Sequence, residues 1–284
     1  MSLVQAVILG ALQGLTEFVP VSSTAHLYLA QALMGIRNDE LALSFDIVLH
    51  LGTVVALVVA LRSELVRMAE EAWFWARREP ARDPAARAML LPLVVGTIPG
   101  VLAGLFLLKR VERIRSVGLI GASMLVACAY FFFAERASAR RSGAPRELAD
   151  IDSRDGFWIG LAQAAAGLMA GFSRSGFTIA TGKLRGFRRD DAARFSFLLA
   201  LPIILGAGAK ALLDLRKAPG PSVGGAALAA GFVSAAVVGY VAIEGLLRYL
   251  RTHSLRPFAV YLGVLGLLLL SGTLFPGAVP FLPR

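Results

Sequence analysis

The sequence predicts an all-α integral membrane protein: an inverted-topology repeat with six transmembrane helices and two re-entrant helix pairs. Three observations carry this expectation. The 284-residue chain is 57% hydrophobic with a mean hydropathy of +0.69, more apolar than soluble globular chains. Six apolar stretches, near 43–61, 88–108, 116–135, 192–213, 223–247 and 257–275, each have the roughly 20 residues a spanning helix needs. Two more, 2–35 and 156–186, are apolar but broken by polar residues with Pro20 or paired glycines. A broken apolar segment suits a helix that enters the membrane and returns on the same side.

The loops give the orientation. Net charge is +10, and the basic residues bunch between apolar runs. That bunching reads as membrane topology, with no nucleic-acid partner. Arg62 to Arg87, Arg136 to Arg154, Lys183 to Arg194 and Arg248 to Arg256 share one face if both broken segments re-enter. The sparser face holds Arg37, Lys109–Arg115, Arg216, Lys217 and Arg284. The positive-inside rule makes the richer face cytoplasmic and puts both termini outside; Lys109–Arg115 runs against it. The N-terminus lacks a basic region, and Gln5, Gln13 and Glu17 interrupt its apolar run, so it is not expected to be a cleaved signal. The single cysteine, Cys128, excludes an internal disulfide and reads as packing. Trp73 and Trp75, with basic neighbours, suggest a helix on the membrane surface; Trp158 reads as an interface anchor. Glu244 and Lys210, near span ends, are expected to snorkel.

The chain reads as one membrane domain, 1–284, with pseudo-repeats of about 1–135 and 151–275. A shift of 150 sets Gly10 on Gly160, Gln13 on Gln163, Ser23 on Ser173, Phe45 on Phe195 and Leu49 on Leu199. The match is thin, but it aligns broken segment with broken segment. Inverted repeats place their broken helices near the midplane, where the site forms.

Each broken segment holds a polar cluster. In the first, Gln13 and Glu17 are i,i+4 and share a helix face. Pro20 ends or bends that helix, and Ser22, Ser23 and Thr24 stand where the next one starts. His26 follows within reach of Ser22 and Ser23. A plain structural account makes the serines caps and His26 a packed polar residue. The functional account has Glu17 accept a proton or hold a divalent cation, a serine attack phosphorus and His26 shuttle the proton. The second cluster is Gly171-Phe172-Ser173-Arg174-Ser175-Gly176, with Thr178 one turn on. An arginine at membrane depth is costly, so an anion site is its default reading. Its structural alternative is an ion pair, for instance with Glu17. Guanidinium, hydroxyls and helix-start NH groups suit a phosphate or diphosphate. Asp46 and His50, i,i+4 on the first span, could support the site but read first as a structural polar pair.

These residues resemble the undecaprenyl-diphosphate phosphatase family, the bacitracin-resistance proteins. The resemblance rests on Gln13-Gly-Leu-Thr-Glu17 followed by Pro20-Val-Ser22-Ser23-Thr24-Ala-His26. It rests equally on Ala170-Gly171-Phe-Ser173-Arg174-Ser175-Gly176-Phe-Thr178, with family-like runs at Phe45–Asp46, Leu51–Gly52 and Phe195–Pro202. It covers essentially the whole chain. Two departures stand out: Gln13 fills an acidic position of the family motif, and Ala170 replaces its proline.

The resemblance implies hydrolysis of undecaprenyl diphosphate to undecaprenyl phosphate and inorganic phosphate. This recycles the lipid carrier for peptidoglycan synthesis and confers bacitracin resistance. The catalytic candidates are Glu17, Ser23, His26 and Arg174. The diphosphate-binding candidates are Gln13, Ser22, Thr24, Ser173, Arg174, Ser175, Gly176 and Thr178. A divalent cation, magnesium or calcium, is implied with Glu17 as its ligand, and no organic cofactor. Expected partners are a polyprenyl diphosphate lipid and the bilayer, with a homodimer left open. The implied location is the bacterial inner membrane, multi-pass, with the site facing the periplasm. The alternative is an inverted-repeat transporter or flippase of an anionic lipid, which would need no nucleophile.

Overall fold

The computed structural model describes residues 1–36, 40–106, 116–217 and 223–274. The cluster Lys109–Arg115, Arg37, Arg284 and the last residues of two predicted spans lie outside the described residues. Every regular element described is helical. The order is α1 Leu3–Phe18, α2 Ser23–Leu33, α3 Glu40–Ala60, α4 Arg62–Ala76, α5 Pro84–Phe106 and α6 Val117–Ala139. After a short 3-10 turn at Leu148–Asp150 come α7 Ser153–Gly167, α8 Arg174–Leu184, α9 Arg189–Lys217, α10 Gly225–Leu250 and α11 Arg256–Leu274.

Local chemistry sets the boundaries. Ser2 and Gln5 form a reciprocal capping box at the start of α1, and Asp152 and Asp155 do the same for α7. Pro84 opens α5, where its missing NH costs nothing, and Asp83 accepts from the Ala86 NH at 3.0 Å. Ser116 caps α6 through the Leu119 NH at 3.2 Å.

The predicted spans overlap α3, α5, α6, α9, α10 and α11. Five of these are long and apolar enough to cross a membrane alone. The sixth, α3, qualifies together with α4, from which it is bent by 78°. Trp73 and Trp75 on α4 are 60% and 51% exposed, while Glu64, Met68 and Glu71 on the same helix are buried against its neighbours. Val94, Leu105, Val126, Phe133, Val241 and Val264 are all more than half exposed. In water such a surface is a liability; against lipid tails it is the expected outer face.

The two halves exchange partners. Helix α1 packs along α10, and α7 packs along α5. A Cβ at Gly10 would collide with the Gly231 carbonyl, and one at Gly160 with the Gly96 carbonyl. The two residues that coincide under the 150-residue shift thus let each broken helix approach a span of the opposite half. Between these pairs, α3 lies on α9 and α6 on α8 and α11.

The predicted basic face is tied down by buried carboxylates. Glu135 is 2% exposed and takes two bonds from Arg189, at 2.9 and 2.6 Å. Asp155 is fully buried between Arg146 and Arg185, at 2.7 and 2.6 Å. Glu71 pairs with Arg87, and Glu64 with Arg194. Glu244, expected to snorkel, pairs with Arg248 at 3.3 Å, one helical turn away toward the end of α10.

Candidate active site

Helix α1 presents Gln13 and Glu17 one turn apart on its buried face. The chain leaves the helix at Val19 and turns through Ser22, whose backbone is left-handed at φ +73°. A residue with a β-carbon holds that conformation at a cost of about 1–3 kcal/mol, so its surroundings must fix it. The turn aims the Ser22 carbonyl at His26, which donates from its backbone NH at 3.3 Å and approaches with Nδ1 at 2.8 Å. Ser22 occupies the capping position of α2, yet its side chain caps nothing. Ser23, the first residue of α2, donates its hydroxyl to Glu17 Oε2 at 2.7 Å.

Helix α8 brings the second cluster to the same carboxylate. Ser173 caps it by accepting from the Gly176 NH at 3.2 Å. The first helical residue, Arg174, then reaches Glu17, with Nη2 2.6 Å from Oε1. Gln13 Nε2 donates to Glu17 Oε2 at 3.1 Å, and His50 Nε2 stands 3.7 Å from the same oxygen. One buried carboxylate therefore joins α1, α2, α3 and α8.

Other candidates sit further back. Thr178 is fully buried; its hydroxyl donates toward the Arg174 and Ser175 carbonyls at 2.9 and 3.0 Å and shares a bond with the Ser196 hydroxyl at 2.5 Å. That hydroxyl braces α8 against α9. Ser175 shares a bond with Ser173 at 3.2 Å. Gly176 faces the Phe131 ring, which any side chain there would strike. Thr24 is exposed at the start of α2. The ring nitrogens of His26 point to the Ser22 carbonyl and to Tyr261 at 2.6 Å. The hydrogen bond from Ser23 goes to Glu17.

Three buried side-chain atoms at this cluster lack any protein partner: Ser22 Oγ, Arg174 Nη1 and Gln13 Oε1. Unpaired buried polar atoms are expensive, and each needs an explanation. Two of them, a hydroxyl and a guanidinium nitrogen, can donate, which is what phosphate oxygens require.

His50, four residues after Asp46, reads from sequence either as a support of the site or, first, as a pair within α3. His50 Nδ1 does return to the Asp46 carbonyl at 2.7 Å, but its other nitrogen faces Glu17. Ser196 stood out only as part of the family-like run Phe195–Pro202, and Tyr261 gave no signal beyond being a hydroxyl in an apolar helix.

The fold and this cluster define a class: a polytopic membrane protein with a buried polar cluster held by two broken helix pairs. The family model described as bacitracin resistance protein BacA matches residues 6–268. A Bacillus cereus protein named undecaprenyl-diphosphatase 4 is 38% identical over 272 residues, covering 95% of this chain and 97% of its own. Proteins named undecaprenyl-diphosphatase from Rubrobacter xylanophilus and Myxococcus xanthus are each 42% identical. They cover 92% and 95% of this chain, and 94% and 89% of their own. The chain belongs to the bacitracin resistance protein family.

Proposed function

We propose that this membrane enzyme hydrolyses undecaprenyl diphosphate to undecaprenyl phosphate and inorganic phosphate. That reaction recycles the lipid carrier for peptidoglycan synthesis and gives bacitracin resistance. The observation that carries the reading is the Glu17 carboxylate, bonded on one oxygen by Ser23 and on the other by Arg174.

Each residue has a task. Ser23 Oγ attacks the terminal phosphorus as its proton passes to Glu17 Oε2, already in hydrogen-bond contact. The bond from phosphorus to the bridging oxygen breaks, and undecaprenyl phosphate leaves with that oxygen and its electron pair. Water then attacks the phosphoserine, releasing phosphate and restoring the Ser23 hydroxyl. Arg174 and the NH groups at the start of α8 neutralise the oxygens in the transition state. Ser22 and Gln13 orient the phosphate, and Ser173, Ser175, Gly176 and Thr178 hold the arginine's helix. In the second step, the attack of water, His26, one turn into α2, takes up the proton of the water, and Glu17 returns its proton to the Ser23 oxygen. The prenyl tail runs between spans into lipid.

A divalent cation, magnesium or calcium, is part of the proposal. No three His, Cys, Asp or Glu side chains converge among the described residues, so the protein alone forms no cage. The hard oxygen donors that are present suit such a cation. Glu17 would hold it, with phosphate oxygens of the substrate completing its shell, and it would add charge neutralisation.

The cytoplasmic membrane, with the site open to the outside, is the placement that the clustered basic loops favour. Pseudo-repeats of about 1–135 and 151–275 account for the crosswise packing of α1 on α10 and α7 on α5.

The test is phosphate release from undecaprenyl diphosphate by purified protein in detergent, with magnesium, with calcium and with chelator. Turnover that needs either cation supports the reading. No release under any condition rejects it.

A further inference from the structure

His26 has both ring nitrogens engaged. Nδ1 lies 2.8 Å from the Ser22 carbonyl, which can only accept, so Nδ1 carries a proton. In the neutral ring Nε2 is then the lone-pair nitrogen, and the Tyr261 hydroxyl 2.6 Å away donates to it. In the imidazolium Nε2 becomes a donor, and the same hydroxyl accepts. A phenol serves both states without moving; most side chains would serve one.

The rings also stack, with centroids 5.7 Å apart and planes 14° from parallel. Tyr261 lies on α11, 235 residues from His26 and in the last described helix. Its immediate neighbours, Ala259, Val260, Leu262 and Gly263, are apolar. A hydroxyl on such a helix would be costly in hydrocarbon without a partner. His26 is that partner, and Ser22 secures the ring from the other side.

We infer that Tyr261 is a positioning residue of the reaction. Its hydroxyl fixes the orientation and tautomer of His26, and so makes the last spanning helix part of the catalytic assembly. The inference rests on the phosphatase reading above.

Tyr261→Phe is the test, because it keeps the ring and the stack and removes only the oxygen. Losing one hydrogen bond that orients a reacting group predicts a kcat lower by roughly tenfold, with KM for undecaprenyl diphosphate nearly unchanged. A packing role would not give that split. The chain has 3 histidines, so ring-nitrogen NMR of the detergent-solubilised protein is tractable. The Nε2 signal that vanishes in His26→Ala should move in Tyr261→Phe and stay in place in Val264→Ala, on the lipid face of the same helix. A wild-type kcat in Tyr261→Phe, or an unmoved His26 signal, overturns the inference while leaving the phosphatase reading intact. Absence of phosphate release from wild type, with the His26 signal still moving, overturns both: the bond would then be structural only.

Discussion

Glu17 and Arg174 stand 157 residues apart in sequence and 2.6 Å apart in space, and both side chains are largely buried. Removing one member of a buried pair strands the other charge, at about 3–5 kcal/mol. Arg174→Ala should therefore lower the thermal midpoint in detergent. Glu17→Gln/Arg174→Ala, which removes both charges, should regain most of that loss and no activity. A double variant no more stable than the single one would show that this pair does not tie the halves together.

Ser22 is held at φ +73° with its hydroxyl buried and unpartnered. Glycine adopts that backbone freely. Ser22→Gly should raise stability by about 1 kcal/mol while weakening substrate binding. Thermal unfolding beside KM checks this, and a destabilised Ser22→Gly would contradict the strain.

The Thr178 hydroxyl is consumed by Ser196 and two carbonyls. Thr178→Val keeps the shape and strands Ser196, so stability should fall by about 1–3 kcal/mol. KM for the substrate should hardly change. A large rise in KM without a stability loss would return Thr178 to the binding site.

Gly160 and Gly96 meet backbone to backbone. Gly160→Leu should force α7 off α5 and lower stability by about 1–3 kcal/mol or prevent folding. Gly35→Leu meets open space but needs φ +69°, so it should cost less, from strain alone. Equal losses in the two variants would argue against the close approach.

The apolar runs made most of the fold legible: six stretches near 20 residues overlap six described helices. Pro20 announced the end of α1, and the turn does follow Phe18. The spacing of Gln13 and Glu17 put them on one face, because helical periodicity is a local property. Contacts between distant segments were less readable. Nothing in the sequence marks Tyr261 as the partner of His26, since a lone tyrosine in an apolar span is usually packing. His50 was visible but ambiguous, because its neighbour at i−4 offered a sufficient local explanation. Thr178 was assigned to the ligand from its motif, and only the fold reveals that Ser196 claims its hydroxyl.

With Cys128 as the only native cysteine, topology can be read by thiol labelling. In a Cys128→Ala background, Ser142→Cys and Thr252→Cys should react with an impermeant reagent only from the cytoplasmic side. Ser116→Cys should react only from outside. The reverse pattern would invert the proposed orientation.

The most direct measurement of the central claim is phosphate release from undecaprenyl diphosphate by folded Ser23→Ala and Arg174→Ala beside wild type. One site built from both halves predicts that each variant loses about 100-fold or more in kcat/KM, from opposite ends of the chain. Near wild-type release by either folded variant would contradict it.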